Sequence, residues 1–169
     1  LRRRQRQMCI RDSGDGVHDD TSAIQAAILC CPKNARVLIS KGTYLVTALF
    51  LKSDMILEIQ ENAVLAGIYD RARTPILPGQ IEYDNEDGYY NLGSWEGNPI
   101  DSFASMITGI HVKNVTICGK GVLDGRADFE NWWSRPKDKI RAWRPRMIFL
   151  NHCENITVVG VTVQNSPAW

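Results

Sequence analysis

Apolar positions along the chain fall into two textures. Ile24, Ala27, Ile28 and Cys31 stand at i, i+3, i+4 and i+7, which places them in one stripe on one helical face. Asp19-Asp20-Thr21-Ser22 supplies N-cap candidates, Ser22 and Gln25 have capping-box spacing, and Pro32 closes the run. An amphipathic helix over residues 21–31 is therefore predicted, with an apolar face that must cover something. From Arg36 to Gly67 the pattern changes to short alternating or fully apolar runs: Val37 to Ile39, Thr43 to Leu51, Met55 to Ile59, and Val64 to Ala66. Gly42, Ser53-Asp54 and Glu61-Asn62 separate them, and these are turn formers. Brief strands at close intervals without intervening helices predict an all-β repeat rather than β-α-β units.

The repeat is visible in the letters. Residues 114–119 read NVTICG and residues 155–160 read NITVVG, an offset of 41, and each copy continues into a second strand-like run ending in turn residues. Short strands punctuated by Asn or Gly suit a parallel β-helix, a single-stranded solenoid in which each coil buries its inward side chains only against its neighbours. Asn114 and Asn155 are then expected to stack at equivalent turns and bond through their amides. The offset equals two coils or one coil plus an excursion, and the non-repetitive stretch from Arg126 to Pro145 favours the excursion. Both copies match the Asn-x-Thr glycosylation pattern, yet their shared place in the repeat favours a structural role. Gly119-Lys120-Gly121-Val122-Leu123-Asp124-Gly125 imitates a dinucleotide fingerprint but opens no amphipathic helix, so no nucleotide site is expected.

Two stretches escape the repeat. Residues 82–101 carry the acids Glu82, Asp84, Glu86, Asp87, Glu96 and Asp101, no base, and Tyr83, Tyr89, Tyr90 and Trp95. Residues 126–146 carry the bases Arg126, Arg135, Lys137, Lys139, Arg141, Arg144 and Arg146 against three acids, with Trp132, Trp133 and Trp143. Charged, aromatic loops on a rigid scaffold are common places for function. The alternative is that these oppositely charged loops pair with each other and cover an edge.

Composition narrows the picture. At 169 residues, with 44% hydrophobic and 23% charged side chains, one packed domain is expected. No apolar run approaches the roughly 18 residues of a membrane-spanning helix. The net charge of +1 divides unevenly: residues 1–13 hold +4 and the remainder −3. The basic start is followed by no base-reading helix or aromatic platform, which argues against a nucleic-acid partner, and by no apolar stretch of a signal peptide. Residues 1–13 resemble translated adapter sequence and are set aside as a non-native leader, leaving 14–169 as the domain; localisation stays open. Five cysteines cannot all pair within one chain, and Cys30 and Cys31 are adjacent, so reduced thiols are expected. No spacing suggests a metal or other cofactor.

GDGVHDDTSAIQAAI (14–28), KGTYLV (41–46), NVTICGKGVLDG (114–125) and RPRMIFLNHCENITVVGVTVQNSPAW (144–169) resemble glycoside hydrolase family 28, the polygalacturonases and their relatives. The resemblance extends over residues 14–169, and its most specific part is the Asn165-Ser166-Pro167-Ala168-Trp169 ending. It implies a right-handed parallel β-helix whose N-terminal end is plugged by the helix at 21–31, and hydrolysis of α-linked galacturonic acid in pectin with inversion. Inversion uses one carboxylic acid to protonate the leaving oxygen and a carboxylate to activate water, roughly 6.5–9.5 Å apart.

In the family these groups, with a Gly-His-Gly and an Arg-Ile-Lys, follow the Asn-Ser-Pro-x-Trp segment, and the sequence here ends at Trp169. The expectation is an N-terminal portion of the β-helix, incomplete at its C-terminus, inactive alone and prone to associate through an edge near residues 147–169. Asp19-Asp20 reads as a helix cap, Asp124-Gly125 lacks the preceding Asn-Thr, Lys139-Ile140-Arg141 is reversed, and His152 lacks flanking glycines; no catalytic residue is assigned. The resemblance implies a pectic polysaccharide or oligogalacturonide partner. The candidate substrate-binding residues are Trp132, Trp133, Arg144, Arg146, Asn165 and Trp169, the basic side chains attracting a polyanion and the indoles stacking on sugar faces. Packing beneath a loop is the alternative for the tryptophans. A non-catalytic β-helical binding or structural protein, and a calcium-dependent pectate lyase-like enzyme, remain the alternative functions.

Overall fold

The computed structural model describes residues 7–9, 14–82 and 89–168. The chain winds as a right-handed parallel β-helix. It starts with β1 (Gln7–Cys9), β2 (Asp15–Asp19) and α1 (Thr21–Cys30), then makes a coil of β3 (Ala35–Ile39), β4 (Gly42–Val46) and β5 (Leu49–Phe50). Next come β6 (Met55–Ile59) and β7 (Ala63–Gly67). A first excursion follows, with β8 (Ile76–Leu77), β9 (Gln80–Glu82), β10 (Tyr89–Asn91), β11 (Ser94–Trp95), β12 (Asn98–Pro99) and β13 (Ser102–Phe103), before β14 (Ile107–Ile110) completes the coil. β15 (Lys113–Gly119) and β16 (Val122–Asp124) lead to a second excursion and β17 (Ile148–Asn151), and β18 (Glu154–Val159) and β19 (Thr162–Gln164) follow.

Equivalent strands stack into three parallel sheets: β1-β3-β6-β15-β18, β2-β4-β7-β16-β19, and β5-β14-β17. Residues 7–9, set aside in reading the sequence, run parallel to β3 as the edge of the first sheet. Val115 pairs with Ile156, so the offset of 41 is one coil plus the second excursion.

Alternation explains why these runs form strands. Met55, Leu57 and Ile59 point inward while Ile56 and Glu58 point outward. The register stacks Val37 on Leu57, Leu57 on Ile117, and Ile117 on Val158. Val37, Leu57 and Ile117 have no exposed surface, and each such burial is worth about 1.5–3 kcal/mol. On β18 and β19, Val158, Val159 and Val163 are 43%, 56% and 46% exposed.

The expected amide stack is present and longer than the repeat suggested. Asn155 Nδ2 donates to Asn114 Oδ1 at 2.8 Å, and Asn114 Nδ2 donates to Asp54 Oδ1 at 2.8 Å. Asp54, Asn114 and Asn155 all have positive φ, 53–60°, the left-handed turn that Asn and Asp tolerate best. The hydrogen bond from Asn114, aided by Lys33, holds the Asp54 carboxyl below its ordinary range.

Two local expectations are corrected. The run from Thr43 to Leu51 breaks at Thr47-Ala48 into β4 and β5, because the coil turns a corner there from the second sheet to the third. The Ser22–Gln25 capping box does not form. Asp20 is the N-cap without a side-chain cap bond, Asp19 Oδ1 accepts from the Thr21 backbone at 2.9 Å, and Gln25 turns elsewhere. Its Nε2 donates to Phe50 O at 2.9 Å and its Oε1 accepts from Phe50 N at 2.7 Å, so one side-chain amide imitates a neighbouring strand along β5. Ile24 and Ile28 join the core with no exposed surface. Gln25→Ala is expected to lose about 1–3 kcal/mol by stripping both backbone groups of their partner, whereas Gln25→Glu retains only the accepting oxygen and falls between; urea midpoints measure both.

Candidate functional site

Both excursions leave the same corner, between the second and third sheets, one after Gly67 and one after Asp124. They meet over it. Trp95 and Trp143 lie 4.5 Å apart between ring centroids, and Phe103 meets Trp132 edge-on at 5.4 Å. Trp143 N donates to Asp101 O at 2.7 Å and Phe103 N donates to Trp143 O at 2.8 Å. Arg146 Nη2 reaches Ser94 O at 3.0 Å, and Arg141 Nη1 reaches Arg71 O at 2.8 Å. The two loops thus pack on one another through aromatic faces and backbone carbonyls. Among the described residues their one cross-ion pair is Lys139–Asp101, a loose contact at 4.0 Å; Asp84, Glu86 and Asp87 lie outside those residues. Beneath them is a void of about 20 Å³ bordered by Gly67, Met106, Gly125 and Pro167, room for about one water-sized sphere.

The residues selected from the sequence divide by exposure. Trp132 is enclosed, 2% exposed, with the Arg71 guanidinium 4.5 Å above its ring. Arg144 is 4% exposed and stacks 4.0 Å above Trp133. Its Nη1 donates to Pro167 O at 2.7 Å and its Nη2 to Pro136 O at 3.1 Å. Trp133 Nε1 donates to Ser166 O at 3.0 Å. Excursion and turn are therefore joined by the carbonyls of Ser166 and Pro167. Arg146 is half-buried and bonded to the first excursion, and Asn165 is exposed. Trp169 lies outside the described residues.

Asn165, at φ 50°, donates through Nδ2 to Asp124 Oδ1 at 2.9 Å, while its carbonyl accepts from Ala127 N at 3.1 Å. Asp124 also accepts from Gln164 Nε2 at 3.0 Å and from Arg126 N at 2.8 Å. Burial raises its pKa, but the bonds from Asn165, Arg126 N and Gln164, with the Arg126 charge, outweigh that and hold it below the ordinary carboxylate range. Asp124 is thus a fixed anionic acceptor, unsuited to giving up a proton near neutrality. Burial first, and then the neighbouring Arg71 charge, lowers the pKa of Arg144; burial and Arg135 lower that of Arg71.

The sequence reading passed over Arg71, which reaches the second excursion from 60 residues away, with Nη2 3.4 Å from Asn131 O. No periodicity or motif marks it; only folding brings it to Trp132. Among the described residues Arg71, Arg126, Arg141, Arg144 and Arg146 make no ion pair; Arg126 and Arg141 are exposed and Arg144 is buried. No cluster of three or more His, Cys, Asp or Glu among those residues is placed to hold a metal ion. No helix there is long and apolar enough to cross a membrane. Cys30, Cys31, Cys118 and Cys153 are free thiols.

The sequence profile of glycosyl hydrolases family 28 matches residues 80–169, more than half of the chain, including the whole second excursion and the Asn165 turn. The chain belongs to glycosyl hydrolases family 28. Among family members, an exo-poly-alpha-D-galacturonosidase from Dickeya chrysanthemi is 36% identical over 158 residues, covering 92% of this chain and 24% of that protein. A probable polygalacturonase from Vitis vinifera is 27% identical over 163 residues, covering 92% of this chain and 31% of that protein. The family 28 exopolygalacturonase of Yersinia enterocolitica superposes with a TM-score of 0.76 at 26% identity, covering 96% of this chain and 35% of that structure. The polygalacturonase of Erwinia carotovora ssp. carotovora shares the fold, with a TM-score of 0.67 at 23% identity over 95% of this chain and 42% of that structure. The chain thus spans about a quarter to two-fifths of the length of these family 28 relatives.

Proposed function

We propose that this chain supplies the N-terminal coils of an enzyme that hydrolyses α-linked galacturonic acid in pectin, by inversion with two carboxyl groups, and that the 169 residues alone do not catalyse. The 36% identity to a galacturonosidase across 92% of the chain carries the reading. Two physical features support it. The exposed Arg126 and Arg141 make no ion pair among the described residues, and such guanidiniums suit the carboxylates of a polyanionic substrate. The turn at Asn165–Pro167 is held rigidly from both sides by Asp124, Ala127, Trp133 and Arg144.

In this reading Asn165, Arg146 and Trp169 meet the sugar. The enclosed Trp132 and Arg144, with the stacked Trp133, support the surface beneath it. α1 plugs the first coil through Gln25, Ile24 and Ile28. Two carboxyl groups at inverting separation, about 6.5–9.5 Å, are needed for the chemistry, and Asp124 is committed to Asn165 and Gln164. The experiment is to incubate the purified chain with polygalacturonate and follow reducing ends and binding together. Binding that weakens with added salt, without reducing-end release, is expected. Release of reducing ends overturns the inactivity, and equal affinity for neutral galactan overturns the galacturonan assignment.

A further inference from the structure

One corner further along the coil from the excursions, between the third and first sheets, two histidines stack one coil apart. His111 follows β14 and His152 follows β17, and their ring centroids lie 5.2 Å apart with planes 20° from parallel. Their positions match in the repeat: Ile110 pairs in register with Asn151 just before them, and Lys113 with Glu154 just after. Backbone bonds close the same segment, from His111 N to Asn151 O at 2.9 Å and from Glu154 N to Val112 O at 3.1 Å. Both histidines take the left-handed turn, at φ 54° and 49°, so both side chains leave the backbone in the same direction. Both are exposed.

We infer that His111 and His152 together form a surface site for a borderline divalent cation such as zinc, with one imidazole nitrogen from each coil and water in the remaining positions. Galacturonan binding plays no part in it. A chain of hydrogen bonds fixes the proton on His152. Asn151 Nδ2 donates to Asn91 O at 3.2 Å, so its Oδ1 is the atom 2.9 Å from His152 Nδ1 and accepts the proton there. That tautomer leaves the lone pair on Nε2, the arrangement in which a neighbouring acceptor orients a metal-binding histidine. Neutral imidazole suits zinc, copper and nickel, whereas calcium and magnesium take oxygen ligands. Two nitrogens each about 2.0–2.1 Å from one zinc ion are at most about 4 Å apart. Stacked rings with centres at 5.2 Å reach that by turning their edges toward each other about Cβ–Cγ. The adjacent groups are engaged elsewhere: Glu154 pairs with Lys113 at 2.9 Å, and Cys153 Sγ turns to Gly109 O and Asn151 O at 3.4 and 3.3 Å. A bound ion would tie two successive coils at this turn, beside the amide bond between Asn114 and Asn155.

The test is a zinc chloride titration of the isotope-labelled, reduced 169-residue chain, read by NMR at the histidine rings, with magnesium chloride as comparison. The rings of His111 and His152 are expected to shift together and saturate at one ion per chain. His18, paired with Asp15 through Nδ1 at 2.6 Å, is the internal reference and should respond only at higher zinc. His111→Asn and His152→Asn keep a residue that accepts the positive φ, and each should weaken zinc binding by at least the roughly tenfold that losing even a supporting partner costs. Shifts of one ring alone, equal affinity at His18, or binding retained in either variant would overturn the pair. Shifts centred on Cys30 or Cys118 would overturn it in favour of the thiols. Equal shifts with magnesium would overturn the nitrogen-ligated cation, and no shift with zinc would remove the site altogether. The wild-type titration decides between paired and single-imidazole binding whether or not a variant folds.

Discussion

Gly119→Ala is expected to be among the most damaging single substitutions in this chain. A Cβ at Gly119 would lie 1.9 Å from Ile59 O and 2.7 Å from Ile59 C, both backbone atoms of the coil below, and φ there is +116°. Steric overlap and a backbone region reserved for glycine act together, each worth about 1–3 kcal/mol, so a loss of about 3 kcal/mol or more is predicted, a large share of the roughly 5–15 kcal/mol that holds an ordinary domain folded. Gly160, the matching residue of the repeat, repeats the arrangement with its Cβ 2.4 Å from Gly119 O. Gly97 makes the control: its φ is +82°, yet nothing lies within 4 Å, so Gly97→Ala should cost only the backbone strain, about 1 kcal/mol. Urea denaturation of the two variants measures the difference. Equal losses would show that the close approach of successive coils at Gly119 is not what requires glycine.

Arg144→Met is the second large effect. Methionine fills a similar volume but leaves Pro167 O and Pro136 O without their donor and removes the cation from the Trp133 face. Unsatisfied carbonyls cost about 1–3 kcal/mol each, and a desolvated cation–π contact is worth about 2 kcal/mol. Against this stands the relief of no longer burying a charge, so the net loss is expected near 3 kcal/mol. Arg144→Lys keeps the charge but not the planar fork, reaches one carbonyl, and should lose about half as much. The exposed Arg135→Ala should stay within about 0.5 kcal/mol. Faster amide exchange at Ser166 and Ala168 in Arg144→Met would identify the clamp as the element lost. Unchanged exchange there would make Arg144 a packing residue with no hold on the turn.

Local and periodic features are legible in the sequence. The stripe of Ile24, Ala27 and Ile28 needs only helical spacing, and the structure places all three in buried positions on α1. The shared Asn of NVTICG and NITVVG marked a turn that must recur once per coil, and Asn114 and Asn155 stack there. Both depend on neighbours close in sequence or related by an exact repeat. Gln25 was misassigned for the same reason: its spacing from Ser22 satisfies a local rule, but the unpaired backbone of Phe50, 25 residues on, competes for the same amide and wins both of its hydrogen bonds. Thr43 to Leu51 read as one apolar run because hydropathy does not record where a coil turns.

For the candidate site the division is sharper. The two charged excursions and the Asn165-Ser166-Pro167 turn, conspicuous in the sequence, meet at one corner of the coils. Orientation was not readable. Trp132 and Arg144 carry the side chains that often meet ligands, yet one lies under Arg71 and against Phe103, and the other is spent on the carbonyls of residues 136 and 167. Tyr69 and Arg73, after β7, share a groove with Arg126, after β16, because adjacent coils bring the two segments together. By itself the sequence determined a coiled stack of short strands with a helix near its start, because strand alternation, turn residues and repeats are encoded position by position. Which polar and aromatic groups face solvent was decided only by the tertiary structure, because burial depends on side chains up to 70 residues apart meeting at one corner.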